Sequence, residues 1–174
     1  MPDAKLFVVD SDVFITAKNR YYAFDLCPGF WKSLVRRNRE GRLCSIDRVK
    51  GELLVGPEDE GLVTWAKDEV PQGFFRSVDE AAVVARYREI MLWAQKAPRF
   101  FDAAKAKFAT GADGWLVAFA MVHEAIVVTN EQPRPNAQRE IKLPDVCEQF
   151  GVAYLDTFQM LRALSVQFDW GGTS

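Results

Sequence analysis

Four carboxylates are placed where their chemistry can combine. Asp10 closes the apolar run Leu6-Phe7-Val8-Val9, and Glu131 follows the run Ala125-Ile126-Val127-Val128. Asp113 opens a segment, Trp115 to Val122, that is apolar all round, and Glu52 lies on an early helix beside Leu53 and Leu54. Singly, each has a plain structural role. An Asp after a strand caps a helix, and Asp113 does the same equally well. Glu52 reads as a solvated side chain and Glu131 as a loop residue. Three of the four should fall at one sheet edge, where unpaired carboxylates repel and raise each other's pKa. A hard divalent cation removes that penalty, and an all-oxygen ligand set suits Mg²⁺ or Mn²⁺.

That gathering requires a particular arrangement of elements. Leu6 to Val9, Ala125 to Val128 and Val152 to Leu155 read as three short buried strands. Helices are expected from Ser11 to Lys18, from Pro28 to Arg39, after a short extended start at Arg42, and from Glu58 to Glu69. Ser77 and Glu80 have capping-box spacing before a long helix whose apolar face carries Val83, Val84, Tyr87, Ile90, Met91 and Ala94. Further helices are expected from Arg99 to Phe108, from Pro144 to Phe150 and from Asp156 to Phe168. Short apolar strands alternating with helices predict an α/β fold, a three-layer α/β/α sandwich with a mostly parallel sheet. Chemistry in such folds gathers beyond the carboxyl ends of the strands.

Composition sets the outer limits. The 174 residues are 49% hydrophobic and 13% aromatic, which supports a real core and argues against disorder. One domain over residues 1–170 is expected, with 171–174 as a frayed tail. No apolar run approaches a membrane span, and the first residues have too short an apolar stretch for a signal peptide. Cys27, Cys44 and Cys147 are odd in number and lack zinc-site spacing, so free thiols in the cytoplasm are expected. The net charge of -2 leaves nucleic acid neither demanded nor excluded.

The segments that carry the acids resemble the PIN-domain family. Val8-Val9-Asp10-Ser11-Asp12-Val13-Phe14-Ile15 looks like its opening strand, which ends in Asp and then Ser or Thr. Asp113-Gly114-Trp115-Leu116 is similar to its third acidic position, and Val128-Thr129-Asn130-Glu131 to its fourth. Glu52 fits the second. The resemblance covers almost the whole chain and is nearest to a bacterial PIN-like branch. Asp12 stands where Asn or Ser is more usual, and Glu131 where Asp is usual. The resemblance implies a metal-dependent endoribonuclease, often the VapC-like toxin of a toxin–antitoxin pair, that commonly forms a homodimer. Asp10, Glu52, Asp113 and Glu131 would then be catalytic and hold Mg²⁺ or Mn²⁺, with Ser11, Asp12, Thr129 and Asn130 around them. The ion would activate water for an in-line attack on an RNA phosphodiester. His123, the single histidine, reads as a core or helix-end residue.

Two basic stretches are candidates for RNA. Arg36, Arg37, Arg39 and Arg42 belong to a run beside Glu52, and Arg134 and Arg139 sit in the Pro-rich loop after Glu131. A solvated helix face explains the first run equally well. Tyr21, Tyr22, Phe24, Phe30 and Trp31 could stack bases but fit better as core or as an oligomer interface. Two rivals remain. Asp10-Ser11-Asp12-Val13 superficially matches a haloacid-dehalogenase-type phosphatase, without the late acidic pair that chemistry needs. A PIN-like module that binds RNA or protein without turnover reads the same in sequence.

Overall fold

A computed structural model describes residues 4–57 and 60–169. Five short strands make one sheet: β1 (Phe7–Val9), β2 (Leu43–Ile46), β3 (Phe75–Arg76), β4 (Ile126–Val128) and β5 (Tyr154–Leu155). Their spatial order is β3-β2-β1-β4-β5, and every pairing is parallel. All three side chains of β1 and all four of β2 are buried. Successive strand side chains point to opposite faces, so both faces of the sheet are covered. Helices form the outer layers of an α/β/α sandwich: α1 (Ser11–Thr16), α2 (Pro28–Arg39), α3 (Asp47–Leu53), α4 (Gly61–Thr64), α5 (Ala81–Lys96), α6 (Asp102–Thr110), α7 (Asp113–His123), α8 (Leu143–Gln149) and α9 (Thr157–Ala163).

The order of strands fixes where a crevice opens. The chain lays β2 and β3 on one side of β1, then returns to lay β4 and β5 on the other. The boundary between β1 and β4 is therefore the topological switch point, and ligands of open parallel sheets bind beyond the carboxyl ends there. Asp10 leaves β1 and Thr129 leaves β4 at that boundary, and the Asp10 amide continues the ladder by donating to the Val128 carbonyl at 3.0 Å.

The core follows from the apolar segments. In α7 the side chains of Leu116, Val117, Ala118, Phe119 and Ala120 are all buried. The helix lies hard against α5: a Cβ on Gly114 would meet Met91 Cε at 2.6 Å and Tyr87 Cε2 at 3.2 Å. Phe14 of α1 is fully buried among the rings of Trp65, Phe74 and Phe75, at 5.4, 6.2 and 6.3 Å. Two helices end in π-helical stretches: α1 runs into Ala17–Tyr21 and α4 into Trp65–Glu69. The first is closed by the Tyr22 amide, which donates to the Ala17 carbonyl at 2.7 Å. Among the described residues no helix is long and apolar enough to cross a membrane.

Several local expectations are corrected. The sheet has five strands where three were expected, because Leu43–Ile46 is a full strand and β3 has only two residues, too few to show a period. Ser77 does not cap α5: its hydroxyl accepts from the Asp79 amide at 3.1 Å, and the helix begins after Glu80 with no side-chain cap. The helix expected from Arg99 starts at Asp102, and the last one stops at Ala163. The acidic helix begins at Gly61. Glu58, Asp59 and the tail expected to fray lie outside the described residues.

Truncating Phe14 to Ala removes a fully buried ring from the join between α1 and the π-helical stretch Trp65–Glu69. The expected loss is ~3–5 kcal/mol. Urea unfolding should show a lower midpoint with an unchanged slope.

Candidate active site

Asp10 is 3% exposed and is fixed by its neighbours. It is the N-cap of α1, and its Oδ1 accepts from the Ser11 amide at 2.7 Å. Its Oδ2 accepts from the Thr129 hydroxyl at 3.0 Å. Asp12, in the first turn of α1, reaches the same strand exit: Oδ2 accepts from the Asn130 amide at 3.1 Å. Asn130 Oδ1 in turn accepts from the Thr157 amide at 3.2 Å and hydroxyl at 2.8 Å, which ties the start of α9 to the exit of β4. Ser11, Asp12, Thr129 and Asn130 thus form a hydrogen-bonded collar around Asp10.

The two glutamates are held by helix amides far away in sequence. Glu52 Oε1 accepts from the Ala112 amide at 3.0 Å, at the start of α7. Glu131 Oε2 accepts from the Leu143 amide at 3.0 Å, at the start of α8. Helix N-termini present unpaired amides and partial positive charge, so each carboxylate sits where it is stabilised. Asp113 is the first residue of α7 and does not cap it; Ala112 holds the cap position. Among the described residues the Asp113 carboxyl has no hydrogen-bond partner.

These acids face one another across a cavity of about 440 Å³. Asp10, Asp12, Glu52, Asp113 and Glu131 line it, with Lys107, Glu140 and Lys142. Burial pushes the Asp10 carboxyl well above the usual carboxylate range, and Asp113 and Asp12 add to the rise. Asp12 is raised mainly by burial, opposed by its hydrogen bonds. Asp113 is raised from 3.8 to about 7 by burial, then by Glu131, Glu52 and Asp12, while Lys142 opposes the rise. The cavity wall carries neither His nor Cys, so its donors are hard oxygens that fit Mg²⁺ or Mn²⁺ and not a soft metal. Among the described residues no three Asp, Glu, His or Cys side chains already stand as a finished metal cage. Glu52 and Glu131 each keep one oxygen free of amide bonding.

The two basic stretches fall in different places. Arg36, Arg37 and Arg39 end α2, and Arg42 directly precedes β2. That is the amino edge of the sheet, opposite the cavity, so the run does not lie beside Glu52 as expected. Arg36 and Arg37 pair with Glu40 at 3.1 and 2.6 Å. Arg134 pairs with Glu140 at 3.2 Å, and Arg139 is exposed in the loop whose last residues wall the cavity. Lys107 of α6 had no signal in the sequence, being one of two lysines on a short Ala-rich helix. His123 ends α7, stacked on Phe119 and 2.9 Å from Glu80.

Residues 7–168 match the profile of a domain of unknown function, DUF4411. The chain belongs to the DUF4411 family. The fold of this member is similar to that of FitAcB from Neisseria gonorrhoeae, known from a crystal structure: the TM-score is 0.51 at 17% identity, over 86% of this chain and 96% of that one. No curated protein matches the sequence.

The raised acids make a pH dependence with a definite sign. Asp113 binds its proton more tightly folded than unfolded, so it favours the folded state at low pH. That contribution is lost as pH rises from about 4 to about 7. In EDTA, stability should therefore fall between about pH 4 and about pH 7. Asp113→Asn should flatten that fall and stabilise the metal-free protein at pH ~8 by roughly 1–3 kcal/mol, discounted for partial exposure. Chemical denaturation across the range checks both.

Proposed function

We propose that this chain is a PIN-like, metal-dependent endoribonuclease and the toxin of a toxin–antitoxin pair, acting on RNA in the cytoplasm as a homodimer. The observation that carries the reading is the convergence of Asp10, Glu52, Asp113 and Glu131 on one cavity at the switch point of the sheet. The fold shared with FitAcB and the motif resemblance around Asp10, Asp113 and Glu131 support it.

Asp10 and Asp113 would hold Mg²⁺ or Mn²⁺, with the free oxygens of Glu52 and Glu131 completing the set. A bound ion there supplies charge neutralisation for phosphate oxygens and a lowered pKa for water. The chain's own groups do the rest. The Thr129 hydroxyl and Ser11 amide hold the Asp10 carboxylate in one orientation. Asp12 and Asn130 keep β4 and α1 in register, so the two strand exits do not drift apart. Lys107 and Lys142 place cations on the cavity wall, where a phosphodiester needs them. A site this rich in carboxylates repels RNA when metal-free, so metal and substrate are expected to bind together.

The test is cleavage of a mixed RNA pool with added Mn²⁺. Wild type should cleave, and EDTA should abolish the activity. Asp113→Asn should lower it by more than about 100-fold, beyond the loss typical of outer partners. Equal cleavage by both proteins would point to a contaminant and end the proposal. RNA binding with no cleavage by either would favour a non-catalytic module.

A further inference from the structure

A second hollow lies directly behind the acidic one. It has a volume of about 360 Å³, within the range of small-molecule pockets. The π-helical stretch after α1 brings Arg20 and Tyr21 to it, and the start of α9 brings Asp156, Thr157 and Phe158. Helix α1 and Asn130 are the partition between the two. Ser11 and Asp12 line the acidic side, whereas Val13, Thr16 and Ala17 line the other. Asn130 donates its backbone amide to Asp12, accepts from Thr157 through its side chain, and borders the second hollow. From Asp12 to Thr16 is four helical residues, a rise of about 6 Å.

The lining separates into a stacking part and a polar part. Tyr21 is 60% exposed and Phe158 44%, with ring centroids 5.9 Å apart and planes at 69°. The other aromatic residues of this region are engaged in packing: Tyr22 stacks on Phe30 at 4.4 Å, and Phe24 on Trp31 at 4.1 Å. Arg20 is exposed and has no ion pair or hydrogen bond among the described residues. The Asn130, Thr157 and Asp156 side chains are already bonded to one another or to the start of α9, so the exposed rings and the guanidinium without an ion pair are the groups left to meet a base and its phosphate. A surface that joins proteins has a drier centre, with few charged groups.

We infer that this hollow takes one unpaired RNA base, stacked on Tyr21 or Phe158, while Arg20 meets a phosphate and the neighbouring phosphodiester lies in the acidic cavity. The inference deepens the nuclease reading and rests on it for the second half of that placement. A strand crossing the α1 partition would have its base fixed before the bond is presented, so the hollow selects which bond is cut.

The experiment measures binding apart from cleavage. Asp113→Asn protein serves as the background, with fluorescein-labelled oligoadenylate and oligouridylate, Mg²⁺ present and anisotropy as the readout. Adding Tyr21→Ala or Phe158→Ala should weaken binding about tenfold, whereas Tyr21→Phe should bind like the background. Adding Arg20→Ala should lower the salt slope by about 0.7. Circular dichroism melts control for folding. Unchanged affinity in both alanine variants overturns the inference. So does unchanged affinity accompanied by a shift in sedimentation, which would assign the surface to a second copy of the chain. Failure of the background protein to bind either strand also overturns it. Wild-type protein that never cleaves, with pocket variants that still lose affinity, would end the nuclease reading and leave the base pocket standing.

Discussion

Carboxylates that repel one another hold the middle of this molecule together. Asp10 and Asp12 project from one helix toward the exit of β4, and the Thr129 hydroxyl and Asn130 amide reach back to them. The strand exits on the two sides of the switch point are thereby stitched by groups that are themselves under electrostatic strain. Glu52 and Glu131 extend the pattern. Each accepts an amide at the start of a distant helix, so α7 and α8 are oriented by acids from α3 and from the β4 exit. Removing one acid therefore changes a charge and a helix attachment at once. Asp113 differs: among the described residues no hydrogen bond holds its carboxyl, and burial first, then the neighbouring acids, set its protonation.

The parts legible in the sequence are those with local signals. Leu6 to Val9 ending in Asp10, and Ala125 to Val128 ending in Thr129, announce buried strands and their exits by composition alone. Segment 115–122 reads as a buried helix because no polar residue interrupts it. What sequence leaves hidden is set by distant contacts. Phe75–Arg76 is a strand only because β2 lies beside it. Ser77 has the right neighbours for a cap, yet its hydroxyl is satisfied two residues on. The basic run Arg36 to Arg42 shows that charge is exposed but not toward which sheet edge; that depends on α2 feeding the amino end of β2. Lys107 reaches the cavity through the packing of α6 on α7, which no short pattern encodes.

The aromatic segment 21–31 shows how one composition splits into two roles. Phe30 and Trp31 become core, Tyr22 and Phe24 stack half-buried against them, and the Trp31 indole donates to the Tyr22 carbonyl at 2.7 Å. Tyr21, next in sequence to Tyr22, is turned outward. The difference is backbone geometry, since both residues sit at the end of the same wide helical turn.

That wide turn has a consequence for how the chain tolerates changes of length. A π-helical stretch accommodates one more residue than an α-helix making the same turn. Loss of a single residue between Ala17 and Tyr21 would let the segment relax into ordinary α-helix without breaking the strand before it. Each residue of an α-helix turns the chain by about 100°, and each residue of the wider π turn by less. One residue fewer at the α pitch therefore covers nearly the same angle, so the residues after the deletion would keep their faces while Asp10 and Asp12, upstream, stayed in place. The wide turn is thus a point where the chain can lose a residue with both hollows held in register.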